Sequence, residues 1–519
     1  MPSGPFAVNL GIESIDAAFA RPRRPRRAVL REGGRTGGAG VVGTEAEGGD
    51  GMDERELLAA ADEYLERHWD DVLRDMGELI SIESVEDLTA AQPGAPFGPG
   101  PRAALTCALD MAAGYGFEVC DCEGYLGYAD AVGLSATQIG VIGHVDVVPV
   151  GSGWAYPPFS LTRKDGFLLG RGTSDDKGPM VVALHAARLV KDACGPLPYT
   201  VRLMFGANEE TNMKDVEHYR AHHADPAFLF TPDAEFPVGY GEAGICSGTV
   251  EGPVIEGGDI VEFEGGAAVN AVPGQARAVV RSPRALASSG EVEATALGDG
   301  MFDLFARGKS AHASTPELGR NAIGILVGYL LENGVGTPEE RAFLEFERRL
   351  LSASDGSGLG IEAHDDDFGD LTCVGGVASL VDGDGRLRQT IDCRYPTTTS
   401  AALIAQRVAA AACEAGATFS LDHDKRPFLT SPDSEAVQAL LGAYQRVTGR
   451  DDGAFTMKGG TYARLFTRAA SFGPEMPDEV RPAWVGTMHG PDEGISEETL
   501  KDAFRIYVLS LAALMKCAL

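Results

Sequence analysis

The residues with chemical potential in this chain are histidines and carboxylates that follow apolar runs. His144 and Asp146 stand in Gly143-His-Val-Asp-Val-Val-Pro149, immediately after the apolar run 139–142. Asp175 and Asp176 stand in Arg171-Gly-Thr-Ser-Asp-Asp-Lys-Gly-Pro179, where a helical pattern opens. Taken singly, the first fits a satisfied histidine and the second a solvated turn whose acids offset a helix dipole. The run 200–205 changes this, because it leads into Asn208-Glu209-Glu210, and adjacent carboxylates at a strand end repel unless a cation is near. The run 228–230 leads likewise into Thr231-Pro-Asp233, and a late segment adds Thr487-Met-His489-Gly-Pro-Asp-Glu493. Open α/β sheets bind ligands beyond the carboxyl ends of their strands, which is where these groups fall.

Charge decides what belongs there. Asp175, Glu210 and Asp233 are all anionic, and burying them together unpaired would raise their pKa values or unfold the site. Two divalent cations reverse that deficit. Histidine and carboxylate ligands without thiolate suit Zn2+, with Mn2+ or Co2+ as alternatives. Such a pair polarises a carbonyl and acidifies a water, so hydrolysis is the chemistry to expect. A bridging ligand needs two accessible oxygens, which makes Asp175 the candidate. Glu209, the spare glutamate beside Glu210, is the candidate general base.

These groups need a scaffold, and hydrophobic periodicity supplies one. From Asp53 the pattern is helical, with Leu57, Leu58, Ala61, Tyr64, Leu65, Trp69 and Val72 at three- and four-residue spacing. A loop over 92–101 and a helix over about 102–115 follow. Strands at 138–142, 200–205, 228–230 and 469–472 alternate with helices such as 180–192, which predicts an α/β domain with a mixed, largely parallel sheet. Residues 243–425 differ in texture, with alternating strand candidates at 277–281 and 389–393 and helices over about 321–332 and 399–414. We read them as an α+β domain inserted between two parts of the catalytic domain, 52–242 and 426–519.

The ends and the composition narrow the class. Residues 1–51, rich in Gly and Arg and without the apolar stretch of a signal peptide, are expected to be a disordered leader, with Met52 as an alternative start. The apolar run 506–519 is too short to span a bilayer and follows the N-cap Ser496 and the acidic turn Glu497-Glu498, so it reads as a terminal helix packed on the core. The 519 residues carry 44 Lys+Arg against 76 Asp+Glu, a formal net charge of −32, which excludes a general nucleic-acid binder. At 44% hydrophobic and 23% charged, the chain has ample material for a core. Its nine Cys include no Cys-x-x-Cys pair, which argues against a disulfide framework or a cysteine zinc site and fits a reducing cytoplasm.

In order along the chain, GHVDVVP, GRGTSDDKGP, NEE, TPDAEFP, GKSAHASTP and MHGPDE resemble the motifs of the M20 metallopeptidase family. Within it they are most similar to PepV-type dipeptidases, relatives of carnosinase, of Xaa-His dipeptidases and of aminoacylase-like deacylases. The likeness spans about 52–519. It implies a zinc-peptidase-like catalytic domain and makes the inserted domain a lid. It also implies that His144, Asp175 and Asp233 hold one metal and Asp175, Glu210 and His489 the other, with Asp175 bridging. Asp146 would orient the site, and Glu209 would deprotonate the attacking water and pass the proton to the leaving amine. A cis peptide at Asp175-Asp176 is implied as well. From the lid, His312 in Ser310-Ala-His312 would donate to the oxyanion, and Asn270 and Arg394 would hold the substrate's C-terminal carboxylate, which a guanidinium fork suits. Gly459, Gly460 and Thr461 in Gly459-Gly-Thr-Tyr-Ala-Arg464 resemble the glycine-rich turn that lines the pocket, where glycines permit close backbone approach.

Two departures bear on substrate preference: Lys458 stands where another glycine is usual, and Thr211-Asn212 replaces a small Ser/Thr-Gly pair. His185, His218, His222, His223, His364 and His423 match no motif and read as helix-face or loop residues. The resemblance implies a cytoplasmic two-metal hydrolase that cleaves small dipeptides with free ends, without nucleic-acid or membrane partners, and monomeric because the lid is long. A deacylase of N-acyl amino acids, of the deacetylase or desuccinylase type, would share every metal ligand. The long insertion and the GGTYAR turn favour the dipeptidase. Intact Glu209 and Asp175 argue against a catalytically inactive dipeptide-binding protein.

Overall fold

The apolar runs that precede the candidate ligands become neighbouring strands. Gln138–His144 pairs in parallel with Thr200–Gly206 on one side and with Phe228–Thr231 on the other, and Ala469–Ser471 continues the parallel order. Antiparallel strands extend both ends, Leu126–Ala131 and Glu118–Cys122 at one and Gly239–Glu242 and Phe428–Leu429 at the other. With Phe455–Met457 added, this makes a nine-stranded mixed sheet, parallel at its centre as the sequence predicts. The computed structural model describes residues 52–380 and 385–519, so the leader expected at 1–51 lies outside the described residues.

Each central strand feeds two cores. Ile139, Val141, Val201, Leu203, Phe228 and Phe230 face the helices Glu54–Ile80, Lys177–Ala193, Glu435–Thr448 and Glu497–Leu514, while Ile142, Met204 and Leu229 face Val216 and Tyr219 of the helix Lys214–His222. Burial on both faces explains why these strands read as continuous apolar runs. The helices start where their caps dictate. Asp53 accepts from Arg55 N and Glu56 N, and Glu56 returns a bond to Asp53 N. Ser496 caps the terminal helix expected on the core, and Glu497 in its first turn accepts Trp69 Nε1 at 2.9 Å from the first helix. The second helix, Pro99–Gly114, begins earlier than expected because Pro99 stands in the first turn, where its missing N–H costs nothing.

A second nine-stranded sheet takes all its strands from between Gly244 and Lys425 and is antiparallel throughout. The helices Ala322–Glu332, Pro338–Leu350 and Ala401–Glu414 cover one face and form a separate core with it. Asn321 and Ser400 cap two of them. Of the histidines without a motif, His185 is buried on its helix between Tyr64 (2.7 Å) and Asp75 (2.9 Å). His364 and His423 lie in strands, His364–Asp365 and Thr418–Lys425, rather than on helix faces or loops, because backbone pairing there captures short polar segments. Among the described residues no helix is long and apolar enough to cross a membrane.

Candidate metal centre

Strand order brings the acids together. Three adjacent parallel strands end in His144, in Gly206 ahead of Glu209 and Glu210, and in Thr231 ahead of Asp233. Asp175 arrives on the loop before the helix Lys177–Ala193, and its peptide bond to Asp176 is cis. Asp176 Oδ2 accepts His144 N at 3.2 Å. Gly143 makes this approach possible, since a Cβ there would strike that carboxylate and Met180.

Asp175 is the centre of the arrangement. Its Oδ1 lies 2.8 Å from His144 Nε2 and its Oδ2 lies 2.9 Å from His489 Nε2. His489 Nε2 is also 3.1 Å from Glu210 Oε2, and Asp233 Oδ2 is 3.9 Å from His144 Nε2. Donor atoms of His144, Asp175 and Glu210, and of His144, Glu209 and Asp233, each converge within 4.8 Å. The Asp146 carboxylate sits 3.5 Å from His144 Nδ1, whose shorter contact is the Asp146 main-chain oxygen at 3.0 Å. That leaves Nε2 facing the acids. The same carboxylate accepts Glu209 N and Glu210 N, each at 3.2 Å, and so positions the glutamate pair as well.

The electrostatics express a demand for positive charge. Burial, then the neighbouring carboxylates, pushes Glu209 up to about 8, and burial and Asp175 raise Glu210 and Asp233. Bonds to Asp175 and Glu210 raise His489 to about 10. Despite burial, Asp175 itself is held low by His144 and His489. An all-histidine and carboxylate donor set that draws protons in this way suits divalent cations.

A cavity of about 360 Å³ opens on this edge. Asp175, Glu209, Glu210, Asp233 and His489 line it together with Lys458, Gly459, Gly460 and Thr461, and Ser314 joins from the antiparallel part. His312, Asn270 and Arg394 are not among the described residues that line it. The strand Ala311–His312 pairs with Ala271–Val272, and Asn270 O accepts Ala313 N at 2.9 Å, so Asn270 and His312 lie together just behind Ser314. Arg394 donates to Asp392 from Nε (2.8 Å) and Nη2 (3.3 Å), and from Nη1 to Lys458 O (3.2 Å), where the glycine-rich turn begins.

Two residues missed in the sequence hold that turn. Buried Glu242 accepts Thr461 Oγ1 at 2.6 Å and pairs with Arg464 at 2.8 Å. Asp215 accepts Tyr462 Oη and also Ala207 N (2.8 Å) and Asn208 N (3.0 Å), which ties the turn to the glutamate segment. Glu242 ends its strand as the candidate ligand His144 does, and that rule could have found it. Asp215, an acid in a helix first turn, gave no such signal.

A mixed sheet covered by helices on both faces, a separate antiparallel part and a histidine-carboxylate cavity at the strand ends define an α/β protein with a candidate metal centre. The chain belongs to peptidase family M20/M25/M40, whose profile matches residues 140–513. It is 32% identical over 467 residues to a Bacillus subtilis (strain 168) relative, covering 87% of this chain and 98% of that protein. It is 32% identical over 484 residues to the Beta-Ala-Xaa dipeptidase of Lactobacillus delbrueckii subsp. lactis, covering 88% of this chain and 98% of that protein. The fold is shared with human carnosine dipeptidase 1, at a TM-score of 0.55 and 14% identity over 88% of this chain and 100% of that one.

Proposed function

We propose that this protein is a dipeptidase that works with two divalent metal ions. The observation that carries the reading is Asp175, whose two oxygens face His144 and His489 at 2.8 and 2.9 Å. On this reading His144, Asp175 and Asp233 hold one ion and Asp175, Glu210 and His489 the other, with zinc the first candidate and manganese or cobalt the alternatives. When bound, such a pair supplies the Lewis acidity that polarises a peptide carbonyl and acidifies a water.

The chain's own residues supply the rest. Glu209, held through its N–H by Asp146 and facing the same cavity, takes the proton from the water and delivers it to the leaving amine. Residues 243–425 act as a lid over the parts 52–242 and 426–519. His312 Nδ1 accepts Ser314 N at 3.2 Å and meets Ser314 Oγ at 2.7 Å, which puts the proton of a neutral ring on Nε2. Nε2–H is then a donor for the oxyanion. Asn270 and Arg394 receive the substrate's carboxylate, and Asp392 fixes the orientation of the guanidinium without filling all its donors. Gly459, Gly460 and Thr461 form the wall against which the substrate lies. The Lactobacillus relative's name supports dipeptides, β-alanyl ones included, as the substrate class.

The test is a panel of α- and β-alanyl dipeptides and N-acyl amino acids, assayed after chelation and after adding back Zn2+, Mn2+ or Co2+. Dipeptide hydrolysis that is lost on chelation and restored by a divalent ion is expected. Faster turnover of N-acyl amino acids would make the protein a deacylase, and turnover of neither class would make it a binding protein.

A further inference from the structure

Arg171 and Glu493 stand in two of the ligand-bearing motifs, yet neither has a part in the chemistry above. They are 322 residues apart in sequence and form an ion pair, Arg171 Nη1 donating to Glu493 Oε2 at 2.5 Å, with side chains 1% and 0% exposed. Desolvation offsets most of the attraction in such a pair, so stability alone does not explain it. The other oxygen of Glu493 gathers the loop that carries Asp175. It accepts Gly172 N at 2.9 Å, Ser174 N at 3.2 Å, Ser174 Oγ at 3.3 Å and Asp175 N at 3.3 Å. The guanidinium reaches the opposite way. Its Nη2 donates to the main-chain oxygens of His489 at 3.3 Å and Pro149 at 3.5 Å. The loops that follow His144, precede Asp175 and carry His489 therefore close on one ion pair.

His489 needs this support more than His144 does. His144 is buried at a strand end with Nδ1 fixed on Asp146. His489 sits on a loop at φ 63° with its side chain 55% exposed, and the groups that meet its ring, Asp175 and Glu210, are themselves candidate ligands. With little packing around the ring, its place follows from its backbone, which Arg171 pins.

We propose that the Arg171–Glu493 pair is a positioning element that holds the bridging Asp175 and the exposed His489 toward one another, and that it acts chiefly on the Asp175, Glu210 and His489 position, where both of its loops meet. The inference rests on the two-metal reading. Calorimetric titration of the chelator-treated protein with Zn2+, and the visible spectrum with Co2+, test it in the wild type, Glu493→Gln, Arg171→Lys and, as the reference for loss of that position, His489→Ala. Glu493→Gln keeps an oxygen for the loop donors but removes the charge facing Arg171. Arg171→Lys keeps the charge but loses the fork that reaches Glu493 and His489 together.

In both variants the step missing in His489→Ala should weaken about 10- to 100-fold, the usual effect of losing a group that orients ligands, while the other step, which shares only Asp175 with the pair, weakens less. Glu493→Gln leaves the buried Arg171 charge unpaired and should lower the melting temperature of the metal-free protein, whereas Arg171→Lys keeps both charges and should melt closer to the wild type, so the binding change is read in the variant that stays folded. Equal weakening of both steps, wild-type affinity at both, or failure of both variants to fold would overturn the proposal. A wild type that binds fewer than two ions would overturn the two-metal reading itself, which is seen before any variant is compared.

Discussion

Two buried acidic regions of this protein behave in opposite ways. At the carboxyl edge of the mixed sheet, Asp175, Glu210 and Asp233 meet two imidazoles, and Asp146 is bonded by backbone N–H groups. Under the antiparallel sheet, Glu347 on the helix Pro338–Leu350 is 1% exposed, and neither of its oxygens has a hydrogen-bond partner among the described residues. Burial raises carboxyls in both places. What separates them is convergence. The first region gathers donors from several segments onto one point, whereas the second holds a single acid that is cheapest to keep protonated. A buried acid is therefore not a site until other groups turn toward it.

The sharpest way to break this contrast is at the glutamate pair. Glu209→Gln should keep both metals and lower kcat by about 10²- to 10⁴-fold, the usual worth of a general base. Glu210→Gln should instead lose one metal by elemental analysis. Metal loss confined to the Glu209 variant would exchange the two roles.

The antiparallel part can be tested for a share in catalysis through His312. His312→Ala should lower kcat by about 10²- to 10³-fold with metal content unchanged, the cost of one oxyanion donor. A wild-type kcat would reduce His312 to a structural member of its turn. A smaller effect is expected at Arg394. Arg394→Met should raise KM for dipeptides by about 10- to 100-fold, in line with the loss of a charge-assisted hydrogen bond. Dipeptide amides, which lack the partner charge, should lose little, and equal losses would mean that Arg394 serves only Asp392 and the glycine-rich turn.

The smallest effect sharpens the comparison from the other side. Burial raises the folded-state pKa of Glu347 above its ordinary value of 4.5. Below that value both states are protonated and nothing is lost. As pH rises above it, the unfolded chain ionises first, and folding loses about 1.4 kcal/mol per pH unit until the buried carboxyl ionises too. Glu347→Met should therefore be more stable than the wild type in denaturant unfolding at pH 7, with the gain shrinking toward pH 4.5 and activity unchanged. A gain that does not vary with pH would show that Glu347 carries a hidden partner.

Much of the candidate metal centre was legible because its signals are local. His144, Glu209, Glu210 and Asp233 each follow an apolar run, and the strands do end at or just before them. The expected strand 138–142 runs on to His144, since pairing with Thr200–Gly206 continues past the last apolar residue. The antiparallel part was harder. Its strand 387–395 extends well beyond the expected 389–393 because half its residues face the helices and half do not, which blurs the apolar boundary. Ser314, which lines the cavity from the antiparallel part, is an unremarkable serine in sequence and is marked out only by where its turn lands.

The sequence by itself determined the types of the candidate ligands, their order at strand ends and the excess of acid, because these follow from composition and from periodicities a few residues long. Tertiary structure alone decided that both oxygens of Asp175 face histidines from distant segments, and that Asp146 holds the glutamate N–H groups. It also decided that the Arg394 guanidinium reaches the Lys458 main-chain oxygen and that Glu493 closes on Arg171. These are contacts between groups far apart in the chain, set by sheet order and loop closure, and no local pattern of residues encodes the distance between them.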